Sequence, residues 1–543
     1  MQAVSVSRVC ALCTVLFSLA VLPATASATA TDEEIDTAVA AAIEYVRDGQ
    51  MPETGEPGDP ESGIVFEKNN RFSSDWIAIA LAAAGASSAD VYDEVPGPPA
   101  KPGPSLQDFL LTEYSGNGGF WAGPPAWLPD TYERPAMVAH AAGLDPARIS
   151  AEVNLAAQVA GQWNPITGGF GSPSPEAAYN TALGLLALAK TPTPAWALVP
   201  ATEYLRGIQE SDGSWTEALI ATADMTATAV AALCEVGVPP YDPTVASGLE
   251  YLKGEQVSAT GAIEPGNAES AASLVSALSA CGIDPQSAEW TTADDKTPVD
   301  YLISLQATTG AGAGGFAYEP GEPTNIYSTA YALRAIAGGS FSATPAPRED
   351  LSLPSVRTAP TVVAGTPVPH LLAIELAPGN VRMCNVTAPA EAPLTEVLAA
   401  GEATSYPAGC ISSLALAGGK VSSINGVAPA NEDEAWLTRL DRGGIAIAAS
   451  QPVGFGDTVS LRLGAKPSVP QGAPGGAAAS VGPPGPRGRR GKRGHRGRPG
   501  RNAHLVCRSH RRKRSGKVKI RCTAKQGQKA TLRVQLPMEA RLG

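Results

Sequence analysis

A unit of roughly 47–50 residues repeats along positions 38–338, and no other feature limits the fold as strongly. Three copies are plain. Tyr204-Leu205-Arg206-Gly207-Ile208-Gln209 precedes Asp212-Gly213-Ser214-Trp215, Tyr251-Leu252 precedes Gln256 and Gly261, and Tyr301-Leu302-Ile303-Ser304-Leu305-Gln306 precedes Gly314-Gly315-Phe316. The glutamines Gln162, Gln209, Gln256 and Gln306 mark the period, and each is followed by a Gly-rich or Gly-aromatic turn. A small-residue helical run comes next, beginning at Thr181, Thr226, Ser270 and Thr329. Less regular copies start near Ala38, with a second helix near Asp75, and near Leu106, whose turn reads Gly118-Gly119-Phe120-Trp121. A repeat of two helices and a turn cannot bury its apolar face alone, so copies must stack. About six such units can close on themselves, and the expected fold class is an all-α (α/α)6 toroid over 31–340 with a central cavity. A cavity makes small-molecule binding or catalysis the question to ask.

The chain opens like a secretory signal peptide over 1–30: Arg8, an apolar run from Val9 to Val21, and small residues at Ala24-Thr25-Ala26 and Ala28-Thr29-Ala30. The run is short for a membrane span, and no later stretch suits one. Export predicts a secreted or cell-surface protein. Cys10 and Cys13 fall in the leader, leaving Cys234, Cys281, Cys384, Cys410, Cys507 and Cys522 as an even set that reads as a disulfide framework. Sequential pairing is the simplest of the arrangements, because each pair then lies within one proposed domain. Charge is segregated. Half of the 40 Lys and Arg lie after Gly482, where Glu539 is the single carboxylate, so an acidic body carries a basic tail.

After a Pro-rich linker at 341–369 the period changes to alternation. His370-Leu-Leu-Ala-Ile-Glu-Leu, Lys420-Val-Ser-Ser-Ile and Thr458-Val-Ser-Leu-Arg-Leu read as strands and Leu394–Ala400 as a short helix, giving a small β-rich α+β domain over 370–464. Over 465–503 Gly482, Gly485, Gly488, Gly491, Gly494, Gly497 and Gly500 keep a Gly-x-y period filled with Pro, Arg and Lys. Two readings stay open there, a flexible basic spacer and a short collagen-like trimerising stalk. The last segment, 504–543, is expected to form a hairpin closed by Cys507–Cys522, with Arg511-Arg512-Lys513-Arg514 at its tip, suited to an anionic cell-wall or surface polymer.

The unit Tyr-Leu-x-x-x-Gln … Asp-Gly-Ser-Trp resembles the glutamine–tryptophan motif of squalene cyclases and the repeats of protein prenyltransferases. That resemblance implies the toroid, with the glutamine and the turn aromatic tying neighbouring helix pairs together. The chemistry of those families is not evident. The cyclase acid motif Asp-x-Asp-Asp is approached only by Thr292-Ala293-Asp294-Asp295, which reads as a polar connector. A prenyltransferase zinc site needs Asp, Cys and His, and His140 is the one histidine of the repeats, read as an ordinary helix residue. Gly254-Glu255-Gln256 lacks the cysteine of the thioester toroids. A glycosidase would need paired carboxylates facing the cavity. Asp75, Glu133, Asp224 and Glu269 sit near the starts of inner helices, where acids also suit the helix dipole. No catalytic or metal residue is assigned.

Within 370–464, Leu394-Thr395-Glu396-Val397-Leu398, Val421-Ser422-Ser423-Ile424-Asn425-Gly426-Val427, Trp436-Leu437 and Gly454-Phe455-Gly456-Asp457-Thr458-Val459-Ser460-Leu461 follow in order. This resembles the carboxy-terminal β-domain of transcobalamin and intrinsic factor, although Thr438-Arg439-Leu440-Asp441-Arg442-Gly443 replaces the residues usual after the tryptophan. The domain order is similar to that of the vitamin B12 carriers, whose ligand sits between the two domains. The resemblance implies an exported binding protein holding a bulky organic ligand, a corrinoid in the specific case, between toroid and β-domain. The candidate ligand residues are Asp75, Tyr132, Tyr179, Asn180, Asp224, Glu269, Tyr327 and Trp436. The alternatives are a terpenoid cyclase-like or prenyltransferase-like enzyme and a cell-surface structural or adhesion protein.

Overall fold

The computed structural model describes residues 29–48, 71–95, 101–114, 132–171, 177–217, 220–347, 360–403, 410–440, 445–446, 450–466, 505–511 and 518–524. The expected leader, the Gly-x-y tract and the basic tip at 512–514 lie outside them. Two compact units result, Met1–Pro467 and Ser468–Gly543. In the second, strands Leu505–Arg511 and Val518–Ala524 pair antiparallel with Cys507 opposite Cys522.

Among the described residues of the first unit, twelve α-helices between 32 and 336 form six pairs. The outer members are α1 (Asp32–Asp48), α3 (Leu106–Tyr114), α5 (Leu155–Gly161), α7 (Ala195–Gly207), α9 (Pro243–Gly254) and α11 (Pro298–Ser304). The inner members are α2 (Arg71–Ala83), α4 (Glu133–Ala141), α6 (Ala177–Ala189), α8 (Ala223–Glu235), α10 (Ala268–Ala280) and α12 (Ile326–Ile336). Each inner helix packs on the next, and α12 packs on α2, so the ring closes. The inner helices are rich in Ala, Ser and Thr and are buried almost all round, which a helix enclosed by neighbours requires.

Two of the turns are held to the next outer helix by their repeat glutamines, while Gln256 Nε2 instead donates to Trp290 O at 2.9 Å and Gln162 Nε2 has no partner among the described residues. Gln209 Nε2 donates to Gly213 O of its own turn and to Thr244 O of α9, both at 2.9 Å. Gln306 Nε2 makes the same pair, to Gly314 O at 2.9 Å and to Ala38 O of α1 at 2.8 Å, and so links the last repeat to the first. The turn glycines must be glycine on two counts. Gly213 and Gly314 have φ of +89° and +87°, and a Cβ there would lie 2.3 Å from Ser247 O and 2.2 Å from Ala41 O. The turn aromatic is fixed from the inner helix: the Phe170, Trp215 and Phe316 N–H groups donate to Thr181, Thr226 and Thr329 Oγ1 at 3.1, 3.1 and 2.9 Å. Two turns also carry two-residue ladders, Thr216–Glu217 with Ile220–Ala221 and Phe316–Ala317 with Thr324–Asn325, too short to form a layer. The Cys234–Cys281 disulfide joins the ends of α8 and α10 with Cα atoms 5.0 Å apart, as sequential pairing predicts.

Beyond α12 the segment Gly338–Thr344 folds across the C-terminal ends of the inner helices, against Ala82, Ala83, Ser279 and Ala280. Phe341, Ser342 and Ala343 are buried there, and the Ser340 hydroxyl and Lys190 Nζ (2.6 Å) both bind the Glu235 carboxylate. One end of the ring is therefore plugged.

The second module is a five-stranded sheet of β1 (Pro367–Ala377), β2 (Asn380–Pro389), β3 (Glu434–Leu440), β4 (Ile445–Ala446) and β5 (Thr458–Ala465), in the order β4-β3-β5-β1-β2. Only β5–β1 is parallel. Helix α13 (Leu394–Ala403), three residues longer than its sequence signal, packs on β2. Cys384–Cys410 forms, with Cα atoms 6.1 Å apart. The Asn425-Gly426 turn has the positive φ values, +51° and +76°, that this dipeptide favours.

The continuous apolar run of β1 has a clear cause. Leu372 and Ile374 join Cys384 and Val386 in the module's own core, while Leu371 and Ala373 join Val381 and Met383 in the core of the ring. Successive side chains face opposite sides of a strand, so a strand buried on both faces cannot alternate with polar residues. β1 and β2 pack directly on the outer helices α5 and α7. Trp163 Nε1 donates to Val381 O (3.3 Å), Asn154 Nδ2 to Pro369 O (3.2 Å) and Arg148 Nε to Phe455 O (2.9 Å).

Candidate functional site

The repeat places one residue of each of the inner helices α6, α8, α10 and α12 at a common level. Tyr179, Asp224, Glu269 and Tyr327 each stand two positions before the Thr181/Thr226/Ala271/Thr329 position of the repeat. One helical turn on are Leu183, Thr228, Ser273 and Tyr331, on the same face because residues four apart stack along a helix. Tyr179, Leu183, Asp224, Thr228, Glu269, Ser273 and Tyr331, with Met225, Trp76 and Phe341, line a chamber of about 180 Å³ inside the ring. Asp224, Glu269 and Tyr179 lie toward the N-terminal ends of the inner helices, and Phe341 belongs to the plug at the other end.

Charge is arranged along this axis. Burial raises the Asp224 carboxyl above the ordinary range. The Ser270 hydroxyl opposes the rise, yet Asp224 Oδ1 has no hydrogen-bond partner among the described residues. Burial, and then the Asp224 charge, push Glu269 up to about 7. Two carboxylates on adjacent helices thus hold a proton near neutrality. Burial also pushes the Tyr327 phenol up to about 12, against a 3.2 Å hydrogen bond with Tyr331. Below Tyr331 on the same helical face lies Arg334, only 1% exposed. Its guanidinium carbon is 4.3, 4.9 and 5.3 Å from the ring centres of Phe341, Tyr331 and Trp76, and its Nε donates to Ser276 Oγ at 3.1 Å.

The structure brings together Tyr179, Asp224 and Glu269, with Tyr327 beside them, and sets the other candidates apart from the chamber wall. Asp75 is fully buried and committed, bonded to Arg134 Nε at 3.0 Å and to the Tyr114 hydroxyl. Tyr132 precedes α4 as its N-cap and is absent from the chamber wall. Asn180 turns toward Gly171, as the neighbour of a chamber-facing residue on a helix must. Trp436 does not face the toroid cavity. It is 7% exposed and packs in the sheet module's core among Leu372, Ile374 and Leu461, because β3 presents that position to α13's side of the sheet. Gly454–Asp457 is a tight turn, with Asp457 Oδ2 accepting from Gly454 N at 2.9 Å, and it docks on Arg148 of the ring. Asp294 lies in a connector, accepting from the Ser258 hydroxyl at 2.8 Å. Among the described residues no group of three or more His, Cys, Asp or Glu could hold a metal, and no helix is long and apolar enough to cross a membrane.

Leu183, Thr228, Ser273 and Tyr331 went unread in the sequence, although counting four residues on from the first layer would have found them. Phe341 and Arg334 had no such signal. Two larger grooves flank α7 on the outside of the ring, of about 400 and 520 Å³. The second runs between the Trp163–Gly168 turn, α7 and the β1–β2 turn at Gly379–Arg382, so ring and sheet share it. Neither groove gathers any of the eight candidate residues, whereas the smaller chamber gathers titratable groups with perturbed protonation.

No family model matches the chain, and the search of curated proteins found no match. Solved structures similar to it include the type II terpene cyclase MstE from Scytonema in its apo form, at 13% identity and a TM-score of 0.37, covering 56% of this chain and 98% of that one. Haptocorrin in complex with Cbi is similar at 15% identity and a TM-score of 0.31, covering 80% and 98%. The ent-copalyl diphosphate synthase from Streptomyces platensis follows at 18% and 0.31, covering 49% of each chain. Both likenesses read from the sequence, to the cyclase toroid and to the transcobalamin family, thus recur among solved structures. At these TM-scores they carry no argument about what this chain binds or does.

Proposed function

We propose that the chain is an exported binding protein whose ligand is a small organic molecule held in the chamber inside the ring. The observation that carries this reading is the convergence of equivalent positions from consecutive inner helices on one blind cavity, with a buried Asp224 oxygen left without a partner. Buried polar atoms are ordinarily satisfied, and unsatisfied ones mark sites that something else completes. The disulfides agree with export. The expected site between the modules is less favoured. A corrinoid exceeds the chamber, since pockets for drug-sized ligands start at about 300 Å³, and the groove of about 520 Å³ shared by ring and sheet gathers none of the candidate residues.

Native mass spectrometry of protein purified from its own source tests this directly. A small adduct that disappears in Asp224→Asn/Glu269→Gln protein is expected. A corrinoid-sized adduct indifferent to both substitutions would return the ligand to the groove shared by ring and sheet. A second reading, the enzyme, is favoured by one observation: Glu269 keeps a proton near neutrality beside an aromatic wall, as a general acid must. Product from a short prenyl substrate, lost in Glu269→Gln, would establish it.

A further inference from the structure

We propose that the hairpin of the second unit is a polymer-binding surface: the face of its ladder that carries Arg508, His510, Lys519 and Arg521 takes a base-free phosphodiester chain of the polyol-phosphate kind. This surface is independent of the chamber, and either reading can fail without the other.

The register carries the argument. Strands Leu505–Arg511 and Val518–Ala524 pair antiparallel, with Arg508 opposite Arg521 and His510 opposite Lys519. Opposite residues of such a ladder share a face, and successive residues change face. Arg508, His510, Lys519 and Arg521 therefore stand together on one face, whereas Cys507 with Cys522 and Ser509 with Ile520 stand on the other. The basic sequence is thus sorted by the ladder into one cationic face. Like charges directly opposite one another destabilise a ladder, and a two-stranded hairpin is marginal by itself. The chain offers no relief nearby, because Glu539 is the single carboxylate after Gly482. An anion laid across the face removes the repulsion.

The pattern also selects the anion. Positions opposite one another are about 5 Å apart, and positions two apart along a strand about 6.6–6.8 Å. A lone anion meets one cross-strand pair, whereas a flexible chain with one charge per short repeat meets both. Arg508 opposite Arg521 favours phosphate, since arginine is the residue type suited to phosphate recognition. Nucleic acid is disfavoured by composition. Single-strand binders stack bases on aromatic side chains, and no Phe, Trp or Tyr follows Gly482. A phosphodiester backbone without bases asks for nothing that this segment lacks. All but one of the 52 Asp and Glu precede Gly482, so the rest of the chain repels a polyanion and leaves the tail to take it.

Fluorescence anisotropy of the mature full chain with labelled poly(glycerol phosphate), over a salt series, tests this beside single-stranded DNA and poly-L-glutamate of equal charge. Poly(glycerol phosphate) should bind roughly tenfold tighter than poly-L-glutamate and no weaker than DNA, with affinity falling as salt rises. Arg508→Ala/Arg521→Ala should weaken that binding roughly tenfold and lower the slope of log affinity against log salt by about 1–2. Arg533→Ala/Arg541→Ala, which removes the same charge from positions outside both strands, should leave affinity within about twofold. The first variant deletes a like-charge pair, so its effect is not a loss of the ladder. Equal losses in the two variants would mean that bulk tail charge binds and the face does not. DNA binding tenfold or more tighter would make nucleic acid the partner, and equal binding of poly-L-glutamate would remove the phosphate from the reading. No binding of poly(glycerol phosphate) at low salt would end the proposal.

Discussion

The chamber and the seam are both interiors of this molecule, yet the seam is filled by side chains of two modules and the chamber is left open. At the seam Leu371, Ala373, Val381 and Met383 enter the ring's own core, and Trp163, Asn154 and Arg148 find backbone carbonyls at 2.9–3.3 Å, while Asn385 Oδ1 and both His370 ring nitrogens have no partner among the described residues. In the chamber Asp224 Oδ1 lacks a partner among the described residues, and burial with the Asp224 charge pushes Glu269 up to about 7. Satisfied burial stabilises, whereas unsatisfied burial costs stability that a functional site can recover on binding. The seam is thus filled mainly by apolar side chains, and the chamber inside the repeats gathers the carboxylates Asp224 and Glu269.

The sharpest way to break this contrast is to cut into the seam. Leu371→Ala should lose about 2–5 kcal/mol of unfolding free energy in denaturant titration, as large-to-small core changes do. A loss below about 1 kcal/mol would mean that the sheet rests loosely on the ring. Next comes pH. His370 on β1 is buried, and burial lowers its imidazole to about 4, against the backbone groups of Asp457 and Ala388. The unfolded histidine titrates near 6.5, so between those values the unfolded chain binds the extra proton. Its contribution is present above about 6.5 and lost as pH falls toward 4, for about 3 kcal/mol. A His370→Leu chain should lack this acid slope.

Glu269 should slope the other way. Its folded value lies above its unfolded one, so its contribution is present below about 4.5 and lost as pH rises through 7. Glu269→Gln should therefore gain on wild type as pH rises, and thermal melts across that range would show a shrinking difference if the chamber were not as polar as drawn. Arg148→Ala, which removes a partly exposed clamp between ring and sheet, should cost about 1 kcal/mol. The smallest stability effect is expected at Asp224→Asn, within about 1 kcal/mol of wild type or slightly stabilising, because it removes a charge that burial disfavours. A cost comparable to that of Leu371→Ala would place Asp224 among the structural residues instead.

Much of the fold was legible. The spacing of Gln209, Gly213 and Trp215, repeated at Gln306, Gly314 and Phe316, encodes a turn that grips the next outer helix. The same chemistry serves closure, since Gln306 finds α1 as Gln209 finds α9. Asp224 and Glu269 were legible for the same reason, as equivalent positions of one unit. Asp75 and Trp436 misled because type and position say nothing of partners. An acid near an inner-helix start can be spent on Arg134, and a tryptophan in a strand can face its own sheet's core.

What the sequence by itself determined is whatever repeats or alternates: helix pairs, their number, the turn residues, the strand period and the two disulfides within modules. All but the disulfides follow from local periodicity, in which each residue's role depends on neighbours a few positions away, and the disulfides follow from an even cysteine set in an export-type chain, paired within each module. Tertiary structure alone decided which face of the ring the sheet covers, that Gly338–Thr344 plugs one end, and that Arg334 meets Trp76 and Phe341 on the axis. These are meetings between segments far apart in the chain, and shape complementarity and charge compensation are settled only once the ring has closed.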